Sequence, residues 1–304
     1  MSKVMTKGDN FDPKLAQEIF NKVKGHSTLA KLSGQKPIPF NGTKEFVFTM
    51  DKEVDIVAEN GKKTNGGASL APVVIVPLKI EYGGRVSDEF LYASEEEQID
   101  ILDTWSEGFA KKAARGLDIM AMHGLNPRTG TASQIIGNNS FDTNSDVESV
   151  TFDDYADAEA ALEGAIEKLS EDTDVTGFAF SKKMGSAMAK VTENGVKVYP
   201  EFKLGANPGS LNGTACDVNS TVKVAATGED EDMAILGDFA NAFKWGVAKD
   251  LPLEIIEYGN PDNDEELGDL KGHNQIYIRS EMYIGWGILA PEEFCRVVKG
   301  ETTP

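Results

Sequence analysis

Residues 44–82 carry two alternating apolar–polar runs separated by a glycine-rich segment, and this feature limits the possible folds more than any other. A period of two is typical of a strand that covers one apolar face. The segment between the runs, Asn60 to Gly67, favours a turn because glycine and asparagine accept positive backbone angles. The sequence therefore predicts a long β-hairpin, and a dozen residues in each arm would reach roughly 40 Å.

The predicted hairpin has no evident source of stability within its own chain. An isolated two-stranded ribbon is marginal in water, and Pro72 and Pro77 require the returning run to expose an edge. We therefore expect the hairpin to lie across a neighbouring subunit. Lys62 and Lys63 at the tip could pair with acids of that subunit or could simply be solvated. The candidate contact residues are Glu59, Lys62, Lys63, Asn65, Gly66 and Gly67.

Composition limits the possible partners. The chain has 304 residues, and its 50 acidic against 30 basic side chains give a net charge of −20. This excess argues against binding nucleic acid by phosphate neutralisation. Cys216 and Cys295 are too few for a disulfide framework or zinc ribbon, so buried reduced thiols are expected. The sequence contains neither a long apolar run typical of a membrane helix nor a signal peptide, which predicts folding in a cytoplasm.

A very long helix is predicted over about 94–123. Ser94 and the three glutamates that follow it form a capping box, and apolar residues then recur with helical spacing as far as Gly124. Gly108 and Gly116 lower the helix propensity, so we expect another backbone to approach there. A shorter helix is predicted to begin at Asp12.

The order of these signals predicts an α+β fold with an inserted domain. Thr151 is a candidate N-cap, Ser181 begins a short helix, and 276–288 alternates like a half-buried strand. The predicted divisions are an N-terminal arm (1–40), an extension hairpin (41–86), a discontinuous domain (87–150 and 241–304) and an inserted domain (151–240).

Sequence patterns that indicate catalysis are missing. There is no phosphate-binding loop, dinucleotide fingerprint or nucleophile elbow. His26, His123 and His273 have no second metal ligand at helical spacing, so we expect them to be solvated or to cap helices. The acidic segment 262–266 lacks the glycine of a calcium loop. No catalytic, cofactor-binding or metal-binding residue is assigned, and an enzyme is not expected.

The order of the segments resembles the major capsid proteins of tailed bacteriophages, which have the HK97-like fold. No single motif is specific, but order and spacing together cover nearly the whole chain. The segments that carry the resemblance are Val54–Glu59 with Gly66–Ala68 for the extension loop (E-loop), Ser94–Gly124 for the spine helix, Met184–Pro200 in the axial domain, Leu236–Phe239, and Arg279–Phe294.

The resemblance implies a structural subunit that assembles with itself. Such subunits form pentamers and hexamers of an icosahedral virion head that encloses double-stranded DNA without binding it specifically. Axial domains, here 151–240, would meet around the symmetry axes, and each extension loop would lie over the peripheral domain, here 87–150 and 241–304, of the next subunit. Gly83 and Gly84 at the loop base are hinge candidates.

The resemblance also implies partners. Because only a short arm precedes the extension loop, we expect a separate scaffolding protein or a self-assembling shell, together with a portal and possibly decoration proteins. Assembly would occur in the bacterial host cytoplasm, with no membrane partner. We predict no covalent crosslink between Lys62 or Lys63 and a neighbour.

Two other interpretations remain open from the sequence. One is an encapsulin-like nanocompartment shell, which shares the fold but contains protein cargo. The other is a soluble ligand-binding protein or enzyme that uses the loop-rich region 196–220. Size-exclusion chromatography with electron microscopy distinguishes a shell from a monomer with one pocket.

Overall fold

The computed structural model describes residues 26–50, 52–92, 95–152, 158–169, 171–226 and 231–300, which form an α+β protein as predicted. The helices are α1 (Thr28–Leu32), α2 (Glu95–His123), α3 (Ala158–Lys168) and α4 (Lys182–Met188). The strands are β1 (Thr43–Met50), β2 (Ala68–Ile75), β3 (Leu78–Ser87), β4 (Glu148–Phe152), β5 (Gly177–Phe180), β6 (Thr192–Glu193), β7 (Val196–Lys197), β8 (Ser210–Leu211), β9 (Thr214–Val218), β10 (Asp232–Gly237), β11 (Phe243–Ile256), β12 (Gln275–Ile288) and β13 (Phe294–Lys299). The helix predicted from Asp12 lies outside the described residues.

The long helix α2, called the spine helix below, agrees with its predicted limits. It has 29 residues and ends where Gly124 adopts a φ of +65°. A left-handed residue of this kind is a common helix terminator, because glycine has no Cβ to clash. Its buried face contributes Phe109, Ala113 and Leu117 to the main core.

The two spine glycines do not have the predicted close backbone neighbours. A Cβ on Gly116 would have the side chain of Pro127 as its nearest neighbour, 3.7 Å away. A Cβ on Gly108 would have no atom within 4 Å. The described part of the chain therefore leaves the surface at Gly108 open.

The hairpin exists, but it is shorter than predicted. Strands β1 and β2 pair antiparallel from Thr43 opposite Ile75 to Met50 opposite Ala68. Residues 52–67 contain no regular strand, so the alternation through Val54 and Ile56 does not continue the ladder. The returning run also divides before Pro77, because β3 leaves the hairpin and pairs with β12.

A three-stranded antiparallel sheet in the order β11-β12-β3 supports the hairpin. The predicted alternation of β12 is confirmed, since Ile276, Ile278, Met282 and Ile284 are buried. Trp245 on β11 lies opposite Trp286 on β12, and both are buried. They join the main core, whose aromatic residues also include Phe141, Phe239, Phe243 and Phe294.

A six-stranded sheet in the order β4-β13-β10-β5-β9-β8 forms the second centre of the fold. Ser181 caps α4 as predicted, since its side chain accepts a hydrogen bond from the Met184 N–H. The prediction for Thr151 was wrong, because this residue lies within β4. The C-terminal strand β13 pairs with β10 and β4, although the sequence division placed it in the peripheral domain. The domain limits remain predictions.

The short helix α1 connects the spine helix to the six-stranded sheet. Asp118 of the spine helix accepts hydrogen bonds from the Ser27 hydroxyl and from the backbone N–H groups of Thr28 and Leu29. Asp217 of β9 accepts a hydrogen bond from the Thr28 hydroxyl and pairs with Lys31 at 2.7 Å. Because both carboxylates are buried, these bonds fix α1 between the two elements.

Candidate assembly surface

One face of the hairpin carries exposed apolar side chains beside Lys44. Residues 44 and 46 of β1 share a face with residues 70, 72 and 74 of β2, because side chains alternate along each strand. The exposed fractions are 60% for Phe46, 51% for Leu70 and 53% for Val74. We call these residues, together with Pro72, the ribbon face. Within the described part of the chain the side chains of Phe46, Leu70 and Val74 stay more than half exposed, and the contact of the ribbon face with a neighbouring subunit stays a prediction.

The base of the hairpin is fixed. Ile75 is buried and lies against Gly285 and Gly287 of β12, where side chains of ordinary size would collide with it. Glu45 pairs with Lys244 of β11 at 2.6 Å. The anchored base and exposed ribbon face together describe an arm that is held at one end.

The predicted contact residues all lie at the exposed tip. Glu59, Lys62, Lys63, Asn65, Gly66 and Gly67 are exposed. Local hydrogen bonds organise the loop: the Thr64 hydroxyl donates to Asp55 at 2.8 Å, and Lys52 donates to the carbonyl of Asn65. Val54 and Ile56 are almost completely exposed. The intersubunit role of the tip stays a prediction.

A groove of about 500 Å³ lies beside the spine helix, called the spine groove below. Its lining is mainly apolar, with Tyr82 of β3 and Ile101, Trp105, Gly108 and Phe109 of the helix, and Asp100, Thr104 and Lys112 add polar groups. The Trp105 indole N–H donates to Ser280, and its ring lies 5.6 Å from that of Tyr82. These contacts position the two rings at the groove, and Gly108 adds no side chain to it.

The hinge candidates Gly83 and Gly84 lie inside β3, opposite Arg279 and Ile278 of β12, and not at the base of the hairpin. A Cβ on Gly83 would lie 2.2 Å from the hydroxyl oxygen of Tyr277. A Cβ on Gly84 would approach the Trp105 ring at 3.2 Å. Packing against Tyr277 and Trp105 thus explains the presence of glycine at both positions without a hinge. The hinge role stays a prediction.

The acidic segment 262–266 is held by a side chain of the protein. Arg85 of β3 forms two hydrogen bonds with Asp262 and further bonds with Asn260 and the carbonyl of Gly268. The guanidinium holds the pKa of the Asp262 carboxyl below its usual range. This arrangement fixes the loop between β11 and β12 with a protein cation.

His123 differs from the prediction. It was expected to be solvated or to cap a helix, but it is buried at the end of the spine helix. Its ring contacts Asp142 and the carbonyl of Thr221, and Asp232 lies nearby. Sequence reasoning missed this cluster because its members come from distant segments.

The two cysteines are buried and free, as predicted. Burial raises the pKa of each thiol to about 11, so neither forms a reactive thiolate readily near neutral pH. Among the described residues, no helix is both long and apolar enough to cross a membrane.

The anchored hairpin, the spine helix and the two sheets define a shell-forming protein of the HK97-like class. A solved structure from Mycobacterium phage Ogopogo is 27% identical, with a TM-score of 0.71 over 90% of this chain and 92% of that one. One from Gordonia phage Cozz is 22% identical, with a TM-score of 0.70 over 90% and 86%. The capsid of an empty GTA particle has the same fold at 12% identity, with a TM-score of 0.59 over 91% and 90%.

The sequence matches the phage capsid family over residues 8–299. The chain therefore belongs to that family and is a major capsid subunit, a structural component of a virion shell. A search of curated proteins finds no significant match. These results favour the phage capsid interpretation over a nanocompartment or a soluble enzyme.

Proposed function

We propose that this subunit forms pentamers and hexamers of an icosahedral phage head that encloses double-stranded DNA. In this assembly the ribbon face of each subunit occupies the spine groove of the next. The observation that carries the proposal is the presence, on one chain, of an exposed apolar ribbon and an open apolar groove that do not contact each other.

The chemistry of the two surfaces supports this contact. The ribbon face offers Phe46, Leu70 and Val74, and the groove offers Tyr82 and Trp105. Burial of apolar surface contributes about 25 cal/mol per Å², so both surfaces gain when they meet. The absence of a side chain at Gly108 leaves room for a residue of the arriving ribbon.

The geometry of such a contact favours rings. The ribbon and the groove are different patches, so the contact is heterologous, and each subunit offers one of each to its neighbours. A heterologous contact closes into a ring when the rotation between neighbouring subunits is a whole fraction of a full turn. An arm anchored at its base through Ile75 and Glu45 could adapt to both five-fold and six-fold rings.

The remaining partners follow from the charge and the family. A net charge of −20 suits a container for DNA, because an acidic wall repels phosphates. The proposal includes assembly in the host cytoplasm with a scaffolding protein, a portal and possibly decoration proteins. It assigns the tip residues Lys62 and Lys63 to contacts with the neighbouring subunit.

The spine groove gives the sharpest test. Gly108→Leu places a side chain in the groove at a position where the added Cβ meets no atom of the described residues within 4 Å. We expect the variant subunit to fold with an unchanged or slightly higher melting temperature, because leucine is a better helix former than glycine. Size-exclusion chromatography and negative-stain electron microscopy, with scaffold co-expressed, should show capsomers and shells for the natural chain and free subunits for the variant.

Gly108→Ala is the matched control. It gives the same helix benefit, about 1 kcal/mol, but leaves the groove nearly open, so shells should still form. On the ribbon side, Leu70→Ser with Val74→Ser should reproduce the assembly defect in a folded subunit. Shells of normal number and size from Gly108→Leu would contradict the contact, and a natural chain that stays monomeric with scaffold present would contradict the proposed function.

A further inference from the structure

Four ionisable side chains meet beneath the end of the spine helix. His123 ends the helix, Asp142 lies on the loop that follows, Asp232 begins β10, and Arg296 lies on β13. Side-chain exposure is 1% for His123, 0% for Asp232 and 15% for Arg296. We call these four residues the His123 cluster. Buried charges of this kind are costly unless they are paired, so their protonation must be matched to one another.

The hydrogen-bond partners of the His123 ring limit its possible protonation states. Its Nε2 lies 2.8 Å from the carbonyl oxygen of Thr221, which can only accept. Its Nδ1 lies 2.8 Å from Oδ2 of Asp142, which also only accepts when ionised. A neutral imidazole has one N–H and cannot donate to both. The geometry therefore calls for one additional proton, carried by the ring or shared with the carboxyl group.

We propose that the His123 cluster is a proton-dependent clamp that fastens the end of the spine helix to the six-stranded sheet. With the proton bound, the imidazolium and the guanidinium balance two carboxylates. Arg296 donates to Asp232 from Nη2 at 2.8 Å and from Nε at 3.1 Å. The same Nη2 lies 3.0 Å from Asp142. Loss of the proton leaves a net negative charge inside the protein and two acceptors facing each other.

No other charged group among the described residues contacts the His123 ring. The turn Ser220–Lys223 contributes only the Thr221 carbonyl. Glu231, the neighbour of Asp232 along the chain, pairs instead with Lys183 and Lys223. The ring atoms and carboxylates lie within 4.8 Å of one another, as in some metal sites, but Arg296 already contacts both carboxylates.

The direction of the His123 pKa shift agrees with this arrangement. Burial opposes a charged ring, but the hydrogen bond and charge of Asp142 outweigh it and raise the pKa of His123 above 6.5. Burial and the charge of Asp142 raise the pKa of Asp232 to about 8 although Arg296 opposes the shift, so this carboxyl group can share the additional proton. For a group whose pKa is raised on folding, the stabilisation is complete below the unfolded pKa and is lost as pH rises through the folded one.

Chemical denaturation of the full chain at pH 6, 7, 8 and 9 tests the clamp. We expect the unfolding equilibrium constant of the natural protein to rise above pH 6.5, by up to tenfold per pH unit. Asp142→Asn should reverse the slope below pH 7.5, because the new amide can donate to an unprotonated ring. His273→Gln, which alters an exposed histidine, is the control and should keep the natural slope.

Nitrogen NMR of the natural chain labelled at histidine gives a second readout that needs no variant. At pH 7.5 both ring nitrogens of His123 should carry protons. A neutral ring at that pH, or an Asp142→Asn profile parallel to the natural one, overturns the proposal. A fall in melting temperature on adding EDTA also overturns it, because the cluster would then hold a metal ion and not a proton.

Discussion

Asp118 shows how one buried residue can hold together distant parts of the chain. Its two carboxylate oxygens accept four hydrogen bonds, since the Thr221 hydroxyl adds to the three donors around α1. Burial raises the pKa of Asp118, while these donors oppose the shift. The residue lies beside Leu117 on the buried face of the spine helix, so an acid among apolar positions was the available sequence signal.

Asp118→Ala should therefore destabilise the subunit strongly. Removing the acceptor leaves four donors buried without partners, and each such group costs about 1–3 kcal/mol. We expect a loss of about 3 kcal/mol or more in the free energy of unfolding, measured by urea denaturation. Asp103→Ala on the exposed side of the same helix is the control, and its effect should stay within about 0.5 kcal/mol. Equal effects of the two variants would show that the network around α1 contributes little.

At the scale of elements, substitutions at Gly83 of β3 can distinguish a packing role of this glycine from a hinge role. Gly83→Ala places a methyl group against the ring of Tyr277. We expect it to lower the free energy of unfolding by about 1–3 kcal/mol, as overpacking does. In a Tyr277→Ala background the same change should cost less than about 0.5 kcal/mol, because the ring is gone.

This double-mutant cycle also tests the hinge prediction. If Gly83 serves packing alone, the variant that combines Gly83→Ala with Tyr277→Ala should form shells as readily as Tyr277→Ala does. If the glycine is a hinge, the combined variant should be folded but should give shells of irregular size in electron micrographs. That second result would favour a hinge inside β3, although the hairpin itself ends at Ile75.

The elements that the sequence predicted well are those whose signals are local. The spine helix has continuous helical spacing and a glycine at its end, and β12 has a regular alternation. Val54 and Ile56 also alternate, but they lie in the irregular segment 52–67, so alternation alone did not make a strand. The position of β13 between β4 and β10 could not be predicted. Its pairing with β4 joins residues more than a hundred positions apart in the sequence.

Some parts of the candidate assembly surface could likewise be predicted from local sequence signals, and others could not. The hairpin and its tip follow from residues that are neighbours in the sequence, so they could be located in advance. The spine groove needs Tyr82 of β3 to lie beside Trp105 of the helix, and the His123 cluster needs four separate segments. Tertiary packing creates both the groove and the cluster, and no local sequence pattern predicts either one.

For the whole molecule, net charge opposes assembly while apolar contact favours it. Each subunit carries a charge of −20, so neighbouring subunits repel each other. Salt screens this repulsion, since the Debye length falls from about 10 Å at 0.1 M to about 3 Å at 1 M. The proposed burial of the ribbon face in the spine groove would depend little on screening. Assembly should therefore become easier as salt increases.

We expect the subunit concentration needed for assembly to fall several-fold between 50 and 500 mM sodium chloride, on the order of the change in screening. Light scattering of purified subunits measures it, and sucrose at equal osmolality serves as the uncharged control. The opposite result, weaker assembly at high salt, would mean that ion pairs dominate the contact. Lys62 and Lys63 at the exposed tip would then be the first residues to exchange for alanine, because their pairing with a neighbour's acids is what salt would disrupt.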